Sequence, residues 1–221
     1  ALPISSFGNL SSRMNTLNTE LTNLEETNAR GTTSSNSGVV LTVTDEANAV
    51  DVNSSIVVST LARGQAVSFD LTNNGFSNAF SNSSSRTASS SIDQGTMVFT
   101  LGSTATTITI NSTNNTLQGL VDEISKITGV QATLIDTDGS GSLSLSIRSD
   151  TGANNSFSIS SGSGDLSAFN TSDYSNAWVT RQTTAADASF TVDGVTVTRS
   201  SNTITDLFSG HTINLTAADS S

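Results

Sequence analysis

From Val39 onward the apolar residues fall in short groups that alternate with polar neighbours, and no other feature of the sequence restricts the fold as much. That period is the period of a β-strand, whose successive side chains point to opposite faces. Residues 39–43, 55–59 and 65–71 read as strands rich in β-branched side chains. Residues 96–101 and 106–110 read as a hairpin across Gly102-Ser103, with Met97, Phe99 and Leu101 alternating on one strand and Ile108 and Ile110 on the other. Residues 130–135 and 143–147 form a second predicted hairpin, turning through Asp138-Gly139-Ser140-Gly141. A third flanks Asp193-Gly194, a dipeptide suited to a type I′ turn because both central residues need positive φ. Residues 157–159 and 212–215 are further strand candidates, and Ile204, Leu207 and Phe208 are expected on a single turn. Short strands joined by short turns predict antiparallel hairpin-based sheets in a β-rich α+β fold.

Two segments have helical spacing instead. Leu117, Leu120, Val121, Ile124 and Ile127 make one apolar helix face, with an N-cap from residues 114–116 and a stop at Gly129. Residues 95–149 therefore read strand–strand–helix–strand–strand, one helix lying on a small sheet. The other segment is residues 5–27, where Phe7, Leu10, Met14, Leu17, Leu21 and Leu24 recur at alternating spacings of three and four. That is a heptad seam, with Ser5 or Ser6 as its expected cap and Gly31 as its stop. Such a narrow stripe calls for a partner helix, and the sequence holds no second long helix to serve. Leu10, Met14, Leu17, Leu21 and Leu24 are thus the candidate interface for a helix in another segment or another subunit, the alternative being that the stripe packs on the chain's own sheets. Because the chain begins at Ala1 and the seam lacks a partner, a fragment of a longer protein is expected. Residues 32–38, 73–93 and 150–185 read as polar linkers and loops, with Phe76, Phe80, Leu166, Phe169, Tyr174 and Trp178 as anchors.

Charge and chemistry narrow the function. Eight Lys and Arg against nineteen Asp and Glu give a net charge of -11, with no basic cluster. This argues against nucleic acid, whose binding draws on Lys and Arg displacing counterions, and against an anionic membrane surface. Without cysteine there are no disulfides, thiolate metal sites or thiol catalysis. No apolar run approaches the roughly 18 residues of a membrane-spanning helix. Asp136 to Ser142 looks superficially like a calcium loop, but its flanks read as strands and its twelfth position is Ile147, so a plain turn is expected. His211 is the single histidine, Lys126 is the single lysine, and neither a nucleophile elbow nor a phosphate loop is present. No catalytic residue, cofactor or metal is expected.

The last part of the chain carries a resemblance. Residues 186–206, with Phe190, Asp193-Gly194, Arg199 and Ser200-Ser201-Asn202, are similar to a signature stretch of the flagellar hook-associated protein 2 family, the filament caps. Asn114-Asn115-Thr116-Leu117 opening a helix, the hairpin over Asp138–Gly141 and the turn at Thr151-Gly152-Ala153-Asn154-Asn155 resemble further parts of that family, and residues 5–27 resemble its leg helix. The resemblance implies a nested architecture: residues 1–38 as the end of the leg helix and a linker, 39–94 plus 183–221 as an inner head domain, and 95–182 as an inserted outer head domain. It implies a secreted, extracellular homo-oligomeric ring at the distal tip of the bacterial flagellum. That ring retains exported flagellin and promotes its polymerisation, and in some members it binds host mucin or cell surfaces. The alternatives are a surface adhesin or carbohydrate-binding β module, with Tyr174 and Trp178 stacking on sugar, and a sibling flagellin or hook-associated protein.

Overall fold

The computed structural model describes residues 4–27, 33–72, 86–161, 164–171, 174 and 176–219, with side chains of the first helix described from Phe7 to Leu21. The chain opens with helix α1 (Ile4–Thr27). Strands β1 (Val39–Val43), β2 (Ile56–Thr60) and β3 (Ala66–Asp70) follow, then the hairpin β4 (Gly95–Leu101) and β5 (Thr104–Ile110). Helix α2 (Leu117–Ser125) leads to β6 (Val130–Asp136), β7 (Leu143–Ser149), β8 (Phe157–Ser161) and β9 (Val179–Thr183). The last strands are β10 (Ala188–Val192), β11 (Val195–Arg199), β12 (Thr203–Ile204) and β13 (His211–Leu215). Every strand pairing among them is antiparallel, as the alternation required.

The strands form four sheets around two cores. Sheets β6-β7-β3-β9 and β5-β4-β8, with α2, enclose the larger core. At its centre Phe99 stacks on Phe157 with ring centroids 5.1 Å apart, and Phe69 meets Phe169 edge-on at 5.5 Å. Sheets β1-β13-β12 and β11-β10-β2 enclose the smaller core of Val39, Val58, Ala188, Phe190, Ile213 and Leu215. Burying these apolar side chains stabilises each unit by roughly 1.5–3 kcal/mol per fully covered large residue.

Local chemistry sets the element ends. Thr116 caps α2, its Oγ1 accepting the Gly119 N–H at 3.0 Å. The β10–β11 turn holds Asp193 at φ 50° and Gly194 at φ 83°, the left-handed pair that a type I′ turn demands.

Four expectations are corrected. The hairpins β4–β5 and β6–β7 lie in separate sheets rather than one small sheet, and α2 packs between them. β3, grouped with the inner unit in the sequence reading, pairs with β7 and β9, and Val67, Phe69 and Leu71 are buried in the larger core together with Ile92. Ile204 sits on the two-residue strand β12 against β13 rather than on a helical turn. α1 already includes Ser5 and Ser6, so neither is its cap.

The chain crosses between the cores twice, and the two crossings bond to each other. Arg63 N–H donates to the Ala186 carbonyl at 2.8 Å, and Ala186 N–H donates back at 2.9 Å. Gly64 is pressed so close that a Cβ there would lie 2.1 Å from the Ser149 carbonyl oxygen. Gly152, at φ 112°, packs against Ser200, and Asp187 Oδ1 accepts the Ala153 N–H at 2.7 Å. The Asn202 side chain pairs with the Ala62 backbone in both directions, at 2.7 and 2.9 Å. Two of the segments that carry the family resemblance, residues 151–155 and 186–206, thus meet at this junction.

Candidate functional site

The predicted interface lies on α1. Phe7 is 80% exposed and Leu17 68%, and Leu10, Met14 and Leu21 between and beyond them are also exposed, on one face of the helix. Leu24 lies within the helix, but its side chain is outside the described residues. The helix is a weak helix former in its own right. It carries Gly8 and many Ser, Thr and Asn residues, and Thr16 and Thr19 turn their hydroxyls back onto the carbonyls of Ser12 and Asn15. An isolated helix of this composition is marginal in water. Its exposed seam is apolar surface whose burial against another helix would supply the missing stabilisation.

A second surface is a groove of about 1260 Å³ beside β5. Its walls are β5, the end of α2 through Thr128, and residues 153–156, so hydroxyl and amide groups dominate the lining. The charges in it are a matched pair: Lys126 Nζ lies 2.8 Å from Glu123 Oε1. Lys126, and then Asn114 donating to the same oxygen at 3.1 Å, hold the Glu123 carboxyl below its ordinary pKa.

The remaining candidates resolve into structural roles. In the Asp136–Ser142 turn, Asp136 accepts the N–H groups of Asp138, Gly139 and Gly141, and Asp138 accepts those of Ser140 and Ser142. The Ser142 hydroxyl also donates to Asp138, and these bonds, the hydroxyl first, hold its carboxyl well below the ordinary carboxylate range. The carboxylates thus serve the turn's own backbone. No group of three metal-ligating side chains occurs among the described residues. His211 is buried with Nδ1 2.9 Å from the Ser209 carbonyl oxygen. Tyr174 and Trp178 are half-buried anchors against the larger core rather than an exposed platform for sugar. Trp178 Nε1 donates to the Ala168 carbonyl at 3.0 Å, and the Arg181 guanidinium lies 4.8 Å over the Tyr174 ring. Phe76, Phe80 and most of the expected loop at 73–93 lie outside the described residues.

Arg86 is among the buried polar groups that no sequence pattern marks. Arg86 is buried at the end of a Ser-rich stretch, and its Nη1 donates to the Leu71 carbonyl at 2.6 Å. Nearby, Asp93 and Asp165 exchange backbone-to-carboxylate bonds at 3.0 and 3.2 Å. Burial lowers the Arg86 pKa and raises that of Asp165, and their mutual attraction opposes both shifts. No periodicity marks such a pin, because its partners come from distant segments.

Known proteins match this arrangement end to end. The model of the flagellar hook-associated protein 2 N-terminus matches residues 3–65, and that of its C-terminus matches residues 185–221. The flagellar hook-associated protein 2 of Escherichia coli K12 is 31% identical over 209 residues, covering 92% of this chain and 43% of the relative. The same protein from E. coli O157:H7 is also 31% identical, and the chain covers 42% of it. The chain thus spans less than half the length of these curated relatives. Its fold is similar to the crystal structure of the D2-D3 domains of the E. coli flagellar cap protein FliD, with a TM-score of 0.66 and 28% identity over 86% of this chain and 94% of that one. It is also similar to FliD of Pseudomonas aeruginosa, with a TM-score of 0.58 and 25% identity over 82% of this chain and 79% of that one. With its two ends matching the two family models and its β-rich body matching the cap head domains, the chain belongs to the flagellar hook-associated protein 2 family.

Proposed function

We propose that this chain is the head of a flagellar filament cap together with part of one leg helix. In this reading the parent protein forms a ring at the extracellular tip of the filament, retains flagellin arriving there and promotes its insertion. No covalent chemistry is needed, since the work is done by surfaces. The observation that carries the reading is the exposed seam of α1 on a chain whose β-rich body resembles cap head domains. The seam pairs with a helical segment of the longer protein, and the head units are held away from it.

We further propose a nested division that revises the expected boundaries. The inner unit comprises residues 39–62 and 187–219, and the outer unit is inserted between the crossings at Arg63 and Ala186. Two features support it: each core closes on one side of that bridge, and the two family models stop at residue 65 and resume at 185.

Rescue of a strain lacking its own cap protein tests the function. The full-length parent is expected to restore filaments, and the parent carrying Leu10→Asp, Leu17→Asp and Leu21→Asp is expected to leave flagellin monomers in the medium. Failure of the unaltered parent to restore filaments, when it is expressed and exported, rejects the reading.

A further inference from the structure

The first N–H groups of a helix have no partner within the helix, and two of those of α2 are served by a separate stretch of chain. Leu117 N–H donates to the Ser90 carbonyl at 3.0 Å, and Gln118 N–H donates to the Ala88 carbonyl at 2.8 Å. Thr116 Oγ1 takes the next one, from Gly119. In return Ile92 N–H donates to the Asn115 carbonyl at 3.1 Å, and Ser91 bridges to Thr116. Residues 86–93 thus lie as a strap across the entrance of α2. Ile92 is its apolar foot, buried in the larger core.

Both ends of the strap are fastened by charged residues. At one end the buried Arg86 donates through Nη1 to the Leu71 carbonyl. At the other, Asp93 N–H donates to Asp165 Oδ2 and Asp165 N–H donates to Asp93 Oδ2, so the two carboxylates are drawn together by each other's backbone. Asp165 opens a short 3-10 turn, Asp165–Phe169, and is itself buried. The charges acting on it are those of Asp93 and Arg86, both on the strap. β4 and β8, which pack on the turn, carry no charged residue. Asp70 at the end of β3 is exposed and accepts from Thr72, and on α2 Asp122 accepts from Gln118 and Glu123 from Lys126.

Two carboxylates held this way oppose each other once both are ionised. Burial raises the Asp165 pKa, and the Asp93 charge adds to the rise against the Asp93 N–H bond and the Arg86 charge. A protonated Asp165 still offers an oxygen to Asp93 N–H, without the repulsion. The sign follows: the hold is fully present below the unfolded pKa and is lost as pH rises through the folded one.

We propose that residues 86–93 are a pH-operated strap, closed over the entrance of α2 while Asp165 carries its proton and released as a unit when Asp165 ionises. Release lifts Ile92 from the core and withdraws two acceptors from the first turn of α2. The rest of the helix stays packed against β6 and β5. The strap does not depend on the cap reading, so filament rescue and the following test fail independently.

Amide protection factors, which already discount the intrinsic effect of pH on exchange, test the strap in the intact chain. Between about pH 5 and about pH 8, the protection of Leu117 and Gln118 is expected to fall at least about ten-fold relative to that of Ile124. Trp178 gives a second readout, because it is the single tryptophan and its Nε1 donates to the Ala168 carbonyl on the same 3-10 turn. Its emission is expected to change over the same pH range while the far-ultraviolet circular dichroism stays constant. Asp165→Asn is expected to remove both changes. Asp93→Asn keeps a carbonyl oxygen for Asp165 N–H and removes the facing charge, so it is expected to shrink them, and it serves as the test if Asp165→Asn fails to fold. A protection ratio that does not move with pH, a fall shared equally by Ile124, or a pH response unchanged by these substitutions overturns the proposal.

Discussion

The two α-helices among the described residues carry the same kind of apolar face and treat it in opposite ways. On α2, Leu120 and Ile124 are 0% exposed, and Leu117 and Val121 are buried beside them, against β6 and β5. On α1 the corresponding residues stand in solvent. α2 is nine residues long and needs the core to be a helix at all, whereas α1 has twenty-four residues and a longer stripe. The difference teaches that amphipathicity states a demand for a partner without stating where that partner is. For α2 the demand is met within the chain by two flanking hairpins. For α1 it is met by a helix of the longer protein, if the cap reading holds.

The strongest way to break this comparison is to truncate one residue on each helix. Leu120→Ala leaves a cavity in the larger core and is expected to cost about 2–5 kcal/mol, read from denaturant midpoints. Leu17→Ala in the same chain is expected to change stability by no more than about 0.5 kcal/mol. Comparable losses would mean that α1 is already covered. Next in size is the junction. Gly152→Ala places a side chain at φ 112° against Ser200, and about 1–3 kcal/mol of strain is expected. Calorimetry should then resolve a second transition if the two cores lose their coupling. Thr116→Ala removes the α2 cap and is expected to cost about 1 kcal/mol.

Carboxylates extend the comparison between covered and uncovered groups. Burial raises the Asp165 pKa above its unfolded value, so its contribution is fully present below the unfolded pKa and is lost as pH rises through the raised value. Asp138, fully exposed and lowered by its hydroxyl and backbone donors, has the opposite sign: its contribution is present above the unfolded pKa and is lost as pH falls toward the lowered one. Asp165→Asn should therefore flatten the loss above the ordinary carboxylate range of about 4, and Asp138→Asn the loss below it, in stability measured against pH. Smallest is Lys126→Ala, which breaks an exposed ion pair with Glu123 and is expected to cost less than about 0.5 kcal/mol.

What could be read from the sequence was whatever is written within a dozen neighbouring residues. Alternation marked β4, β5, β6, β7, β10 and β11, and Asp193-Gly194 marked its turn to the residue. The heptad spacing marked α1 and the exposed residues on it. Pairing across long separations was not legible. β3 meets β7 across more than seventy residues, and nothing in residues 66–70 names that partner. The same applies to Arg86, whose burial depends on Leu71 and on a distant carboxylate. For β12, an apolar residue after Asn202 looks the same at the start of a helical turn as in a two-residue strand, and the β13 edge decides between them. For the candidate site, the apolar stripe was visible, whereas the groove beside β5 exists only once the sheet has formed.

The central claim is that the α1 seam is one half of a helix interface completed in the longer protein. Amide hydrogen exchange, measured on this chain and on the chain extended at both ends, tests it most directly. In this chain, amides of residues 4–27 are expected to exchange far faster than those of residues 117–125. In the extended chain they are expected to approach the same protection, with Leu17→Asp reversing the gain. Equal and fast exchange of α1 in both chains would contradict the account.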